Sequence, residues 1–91
     1  MQQHTANEKP VRLSAHARGY FQRRGFTAAE VEEAIRTCPW MPAELGRQEC
    51  QKDFLFGREW NGKLYSTKRV RPVFLEETNE IVVVTIYTYY F

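Results

Sequence analysis

Cysteine and histidine are scarce in this 91-residue chain, and long apolar runs are missing. Each shortage excludes something. Two cysteines, Cys38 and Cys50, cannot build a disulfide framework, and no C-x-x-C accompanies them. The two histidines, His4 and His16, stand at no ligand-like spacing, so no bound metal is expected. No stretch approaches the roughly 20 apolar residues of a membrane span. The run Met1–Lys9 is polar and lacks the apolar centre of a signal peptide. These features predict a cytoplasmic location, reduced thiols and no membrane contact. A glycine-rich phosphate loop, a G-x-S-x-G elbow and carboxylates paired on one face are also missing. Any enzyme here is therefore small, metal-independent and without a cofactor.

What is present suffices for one domain, since separate cores need on the order of 100 residues each. Composition is 43% hydrophobic and 26% charged, with six phenylalanines, five tyrosines and two tryptophans, which predicts folding rather than disorder. The net charge of +2 conceals an uneven distribution. From Lys9 to Phe26 there are basic residues (Lys9, Arg12, Arg18, Arg23, Arg24) and no acidic one, while Glu30 to Arg36 is mostly acidic. Lys68, Arg69 and Arg71 make a second basic cluster. Patches of this kind can meet phosphates even on a nearly neutral molecule, and they equally suit a solvated face.

Residues 1–10 read as a flexible leader closed by Pro10, and residues 11–91 as a single domain. Ser14 is placed to cap a helix running to about Arg24, with Leu13, Ala17, Tyr20 and Phe21 at helical spacing and Gly25 as the stop. Thr27-Ala-Ala-Glu30 matches a capping box. Val31, Ala34, Ile35 and Cys38 mark the apolar face of the second helix, and Pro39 ends it. The segment from Pro39 to about Gln48 has two prolines and a glycine and reads as a loop. The period then becomes strand-like. Lys52 to Glu59 alternates, Asn61-Gly62 signals a hairpin, and Lys63 to about Lys68 returns. A third strand is expected over Val70 to Leu75, with Pro72 weakening one edge. A fourth, Ile81 to Phe91, is apolar on both faces in its first half and should be central, covered by the helices. The expected architecture is α+β, two N-terminal helices packed on a four-stranded antiparallel sheet.

His16 shares a face of the first helix with Tyr20 and Arg23, and Arg24 lies close to the same stripe. An imidazole flanked by guanidinium groups suits phosphodiester cleavage, where a base deprotonates a ribose 2′-hydroxyl and fixed cations stabilise the phosphorane. A half-buried histidine bonded to a backbone carbonyl would produce the same pattern. On the last strand Thr85, Tyr87 and Tyr89 point one way and Val84, Ile86, Thr88 and Tyr90 the other. The three hydroxyls can line a phosphate or base site, or serve as ordinary strand formers with wet tips. Trp40, Phe54, Phe56 and Trp60 can stack on bases or fill the core. Lys52 and Arg58 share a strand face with Phe54 and Phe56, so basic and aromatic residues interleave there.

The run His16-Ala-Arg18-x₅-Arg24-Gly25-Phe26-Thr27-x₂-Glu30-Val31-x₂-Ala34-Ile35, together with Val83-Val84-Thr85-Ile86-Tyr87, resembles domain-of-unknown-function family 4258. That family is placed among the barnase/colicin/RelE-type ribonuclease toxins. The resemblance spans about Leu13 to Tyr87, its middle by pattern only. It implies a RelE/barnase-like fold and a toxin-type endoribonuclease, often paired with an antitoxin. The family's helix histidine falls on His16, its arginine before glycine on Arg24, and its late-strand threonine and aromatic on Thr85 and Tyr87. Tyr20 stands where many relatives carry arginine or methionine, so a phosphate contact is either missing or moved to Arg18 or Arg23.

The expectation is thus a metal-independent endoribonuclease leaving a 2′,3′-cyclic phosphate. His16 acts as acid or base, Arg24 with Arg18 or Arg23 holds the phosphate, Lys52 or Arg58 neutralises charge, and Thr85 and Tyr87 orient substrate. Its partners would be RNA, free or ribosome-bound, and a cognate antitoxin; a homodimer stays open. The rival is a non-catalytic RNA-binding or protein-interaction module using the basic first-helix face.

Overall fold

The computed structural model describes residues 9–91; most of the expected leader, residues 1–8, lies outside the described residues. Its last two positions are tied to the domain. Lys9 Nζ pairs with Glu76 at 2.9 Å and donates to the Glu77 carbonyl, and Ile81 N–H donates to the Pro10 carbonyl.

Six strands and three short helices follow. In chain order they are β1 (Val11–Leu13), α1 (Ala15–Arg18), α2 (Phe21–Arg24), α3 (Ala28–Thr37), β2 (Met41–Pro42), a 3₁₀ turn (Glu44–Gly46), β3 (Gln48–Glu49), β4 (Lys52–Trp60), β5 (Lys63–Glu76) and β6 (Ile81–Tyr90). The strands form one mixed sheet in the order β1-β6-β5-β3-β2, with β4 also paired to β5. β1 runs parallel to β6, and the other pairings are antiparallel.

This corrects the expected two helices on a four-stranded antiparallel sheet. The single helix foreseen from Ser14 to Arg24 breaks at Gly19, a poor helix former, and Tyr20 leaves helical geometry at φ −101°, ψ 5°. Ser14 does cap the first turn, accepting from Ala17 N–H at 3.1 Å. β1 is too short to show a period of two, and it is fixed by pairing with β6. The proline-containing loop contains two short bridging strands, β2 and β3.

The expected second and third strands are one. Pro72 interrupts neither, because it sits opposite the gap between β3 and β4, and its carbonyl accepts from Cys50 N–H at 3.3 Å. The amide hydrogen that proline lacks would have faced that gap.

Two expectations are met closely. Asn61 and Gly62 both have positive φ, 53° and 84°, as the hairpin signal requires. Thr27 and Glu30 form the capping box of α3, each side chain accepting from the other's backbone N–H.

The core lies between the sheet and α3. Val31, Ala34 and Ile35 of α3 meet Val70 and Phe74 of β5 and Ile81, Val83 and Ile86 of β6, all fully buried. β6 keeps this inward set only through a bulge. Phe74 pairs with Val83 and Val73 with Thr85, so Val84 is an extra residue. The inward phase therefore passes from Ile81 and Val83 to Ile86, Thr88 and Tyr90. Without the bulge, Thr85, Tyr87 and Tyr89 would point into the core.

Cys50 is 4% exposed, and burial, assisted by the neighbouring Cys38 and Glu49, pushes its thiol up to about 12. At pH 8 only about one such thiol in ten thousand is ionised. Iodoacetamide on the folded protein is accordingly expected to label Cys38 alone, with Cys50 modified only after denaturation. Mass spectrometry of the digested protein reads the two sites separately; rapid labelling of native Cys50 would contradict the packing.

Candidate active site

The face of the sheet turned away from the helices is partly roofed by the loop carrying Pro42–Arg47. Beneath that loop is a cleft of about 570 Å³, walled by Arg47, Glu49, Arg71, Val73, Thr85 and Tyr87. It adjoins a second hollow of about 480 Å³ lined by Ser14, His16, Arg47, Val84, Thr85 and Tyr87. Arg47, Thr85 and Tyr87 line both, so the two hollows adjoin across these side chains.

Local structure explains how each side chain arrives there. β1 leaves β6 after Val83, and Ser14 N–H donates to the Val83 carbonyl at 3.0 Å. That bond sets the one-turn helix α1 against the edge of β6 and brings His16 beside Val84 and Thr85. His16 is exposed, and its ring meets Tyr20 edge-on at 5.0 Å between centroids. The Val84 bulge turns Thr85 and Tyr87 outward onto the same face. Arg71 comes from β5, directly across from Tyr87 in register, with its guanidinium 5.0 Å from that ring.

Arg71 is only loosely engaged. Its Nε lies 3.8 Å from a Glu49 oxygen, beyond hydrogen-bond reach, and among the described residues this buried nitrogen has no hydrogen-bond partner. A buried donor without an acceptor is costly and uncommon, and here it borders a cleft.

Arg24 is held differently. Thr88 Oγ1 and the Tyr90 hydroxyl donate to its carbonyl at 2.6 and 2.8 Å, while its own Nη1 donates to the Ile86 carbonyl at 2.6 Å. Its guanidinium lies 3.9 Å from the Tyr20 ring and 5.2 Å from the Tyr87 ring. It therefore closes the free edge of β6 and braces the tyrosine that lines the cleft.

The structure thus brings His16, Thr85 and Tyr87 together, with Arg24 immediately behind Tyr87. Arg23 lies 5.4 Å from the Tyr20 ring, and Arg18 is exposed in the last turn of α1. Lys52 and Arg58 are not brought to the cleft. Lys52 faces Glu33 of α3 at 3.8 Å, and Arg58 packs 4.7 Å from the Phe56 ring.

Sequence reasoning missed Arg47, Glu49 and Arg71 as site residues. Arg71 had a faint signal, as one of two arginines alternating along a strand. Arg47 and Glu49 had none, because a loop and a two-residue strand carry no periodicity.

Among the described residues, no helix is long and apolar enough to cross a membrane. No family model, curated protein or solved structure matches the chain.

Proposed function

We propose that the cleft is the active site of a metal-independent endoribonuclease of toxin type. One observation carries this reading: an imidazole, a carboxylate and two guanidinium groups from three segments of the chain line two adjoining hollows that share Arg47, Thr85 and Tyr87. Cleavage by an internal nucleophile needs a base, an acid and fixed positive charge, and these groups can supply them. The ribose 2′-oxygen attacks phosphorus and loses its proton to a base, and the P–O5′ bond breaks as an acid protonates the leaving oxygen. The products are a 2′,3′-cyclic phosphate and a 5′-hydroxyl.

His16 and Glu49 are the two titratable groups available to exchange those protons. Arg71 and Arg47 hold the phosphate and stabilise its developing charge. Thr85 and Tyr87 orient the nucleotide. Arg24 acts as a positioning residue, through Tyr87 and the Ile86 carbonyl. The resemblance to family 4258 supports the same reading through His16, Arg24, Thr85 and Tyr87. A cognate antitoxin would then be the expected partner.

The test is to incubate total RNA with the protein in excess EDTA and examine fragment ends for cyclic phosphate, without and with ribosomes. Wild type should cleave, and His16→Ala or Arg71→Ala should lower the rate by at least about 100-fold with unchanged thermal melting. Full activity in His16→Ala would remove it from the mechanism. Intact RNA in every lane, ribosomes included, would leave a non-catalytic RNA-binding module as the better account.

A further inference from the structure

The cleft opens along the uncovered face of the sheet onto two parallel rows of side chains. Tyr87, Tyr89 and Phe91 form one row, at alternate positions and exposed by 38%, 42% and 52%. Arg71 and Arg69 of β5 form the other, paired in register with Tyr87 and Tyr89. Thr67 exchanges both backbone hydrogen bonds with Phe91, at 2.8 and 3.0 Å, so the pairing continues to that ring.

Each guanidinium lies against rings: Arg71 is 5.0 Å from Tyr87 and 5.8 Å from Tyr89, and Arg69 is 5.0 Å from Phe91. Asp53 fixes Arg69 in place by accepting two hydrogen bonds, at 2.7 and 3.0 Å. Exposed rings in this number are costly to leave in water, and cross-strand register holds them at a repeat of about 6.6 Å.

We infer that this ladder is a stacking platform for single-stranded RNA, carrying the nucleotides that flank the scissile phosphate. It rests on the proposed ribonuclease reading, because Tyr87 belongs to both the cleft and the ladder. Bases extending from the cleft meet Tyr89 and then Phe91, and the alternating arginines face the phosphates between them. Stacking needs an unpaired base with a free face, so a duplex cannot use the platform. A protein partner would also accept exposed tyrosines, but the arginine row beside the rings favours a polyanion.

The probe is a fluorescein-labelled 2′-O-methyl strand of about eight nucleotides, long enough for one binding face and lacking the attacking hydroxyl. Wild type should bind this single strand at least about 10-fold more tightly than the same sequence in a duplex. Tyr89→Leu with Phe91→Leu should weaken single-strand binding by about 10- to 100-fold with unchanged thermal melting, and Tyr89→Phe should not weaken it. Should the double variant unfold, Tyr89→Leu alone decides, with a loss of about 5-fold or more expected.

Equal binding by the leucine variants, equal affinity for the duplex, or no binding by wild type would each overturn the platform, the last leaving the face to a protein partner. The two readings fail separately. Ladder-dependent binding without RNA cleavage would keep the platform and remove the nuclease. Cleavage with ladder-independent binding would do the reverse.

Discussion

Gly25→Ala is expected to destabilise the fold by about 2–5 kcal/mol, more than a change of one methyl group elsewhere on the surface would suggest. Two effects add. Gly25 ends α2 in the left-handed region at φ 76°, where a side chain costs about 1–2 kcal/mol. A Cβ there would also lie against the Tyr90 hydroxyl and only 2.6 and 2.7 Å from Trp60 ring carbons. Neither ring can yield freely. Trp60 and Tyr90 stack at 4.8 Å with 16° between their planes, and the Tyr90 hydroxyl donates to the Arg24 carbonyl. Overpacking of this kind adds about 1–3 kcal/mol.

Gly46 supplies the control, since its φ is 74° but nothing lies within 4 Å of its Cβ position. Gly46→Ala should therefore cost only about 1–2 kcal/mol. Urea unfolding of both variants separates backbone strain from collision. Equal losses at the two positions would mean that the Trp60–Tyr90 stack gives way and sets no constraint on Gly25.

Lys68→Met is expected to cost about 2–3 kcal/mol although the substitution preserves shape and apolar stem. Among the described residues Lys68 is the one charged residue in the buried set, at 3% exposure. Its Nζ lies 2.9 Å from Glu30 and donates to the Gly25 carbonyl at 2.8 Å, with the Phe56 ring 5.5 Å away. The same Glu30 closes the capping box of α3, so one carboxylate joins a helix start to the middle of β5. Removing the lysine strands that carboxylate and the Gly25 carbonyl together.

Glu30→Gln should cost a similar amount by leaving the ammonium unpaired, and the double variant should lose about 1–2 kcal/mol less than the sum. A thermodynamic cycle in urea measures this difference. Strict additivity would show that the two groups are solvated independently and that the ion pair contributes nothing. Both predictions converge on Arg24-Gly25, the joint that Thr88, Tyr90 and Lys68 fasten to the sheet. A protein loosened there should also lose the brace on Tyr87.

Local chemistry was legible in the amino-acid sequence wherever it acts over a few residues. Ser14 and Thr27 cap their helices, Gly25 stops α2, Asn61-Gly62 turns the hairpin, and Thr85 and Tyr87 share one face of their strand. Each depends on spacings of four residues or fewer, which the chain states directly. The single helix face expected to carry His16 with Arg23 and Arg24 is instead divided between α1 and α2 by the break at Gly19 and Tyr20.

The tertiary structure decided the rest. It joined two expected strands into β5 and kept Pro72 inside it, because the neighbouring strand is interrupted opposite that proline. It inserted Val84, whose bulge is visible only against the register of β5. It turned Lys52 toward Glu33 and placed Arg47, Glu49 and Arg71 in the cleft. Those placements depend on which strands pair and where a loop folds back, and contacts between residues dozens of positions apart leave no period in the sequence that could announce them.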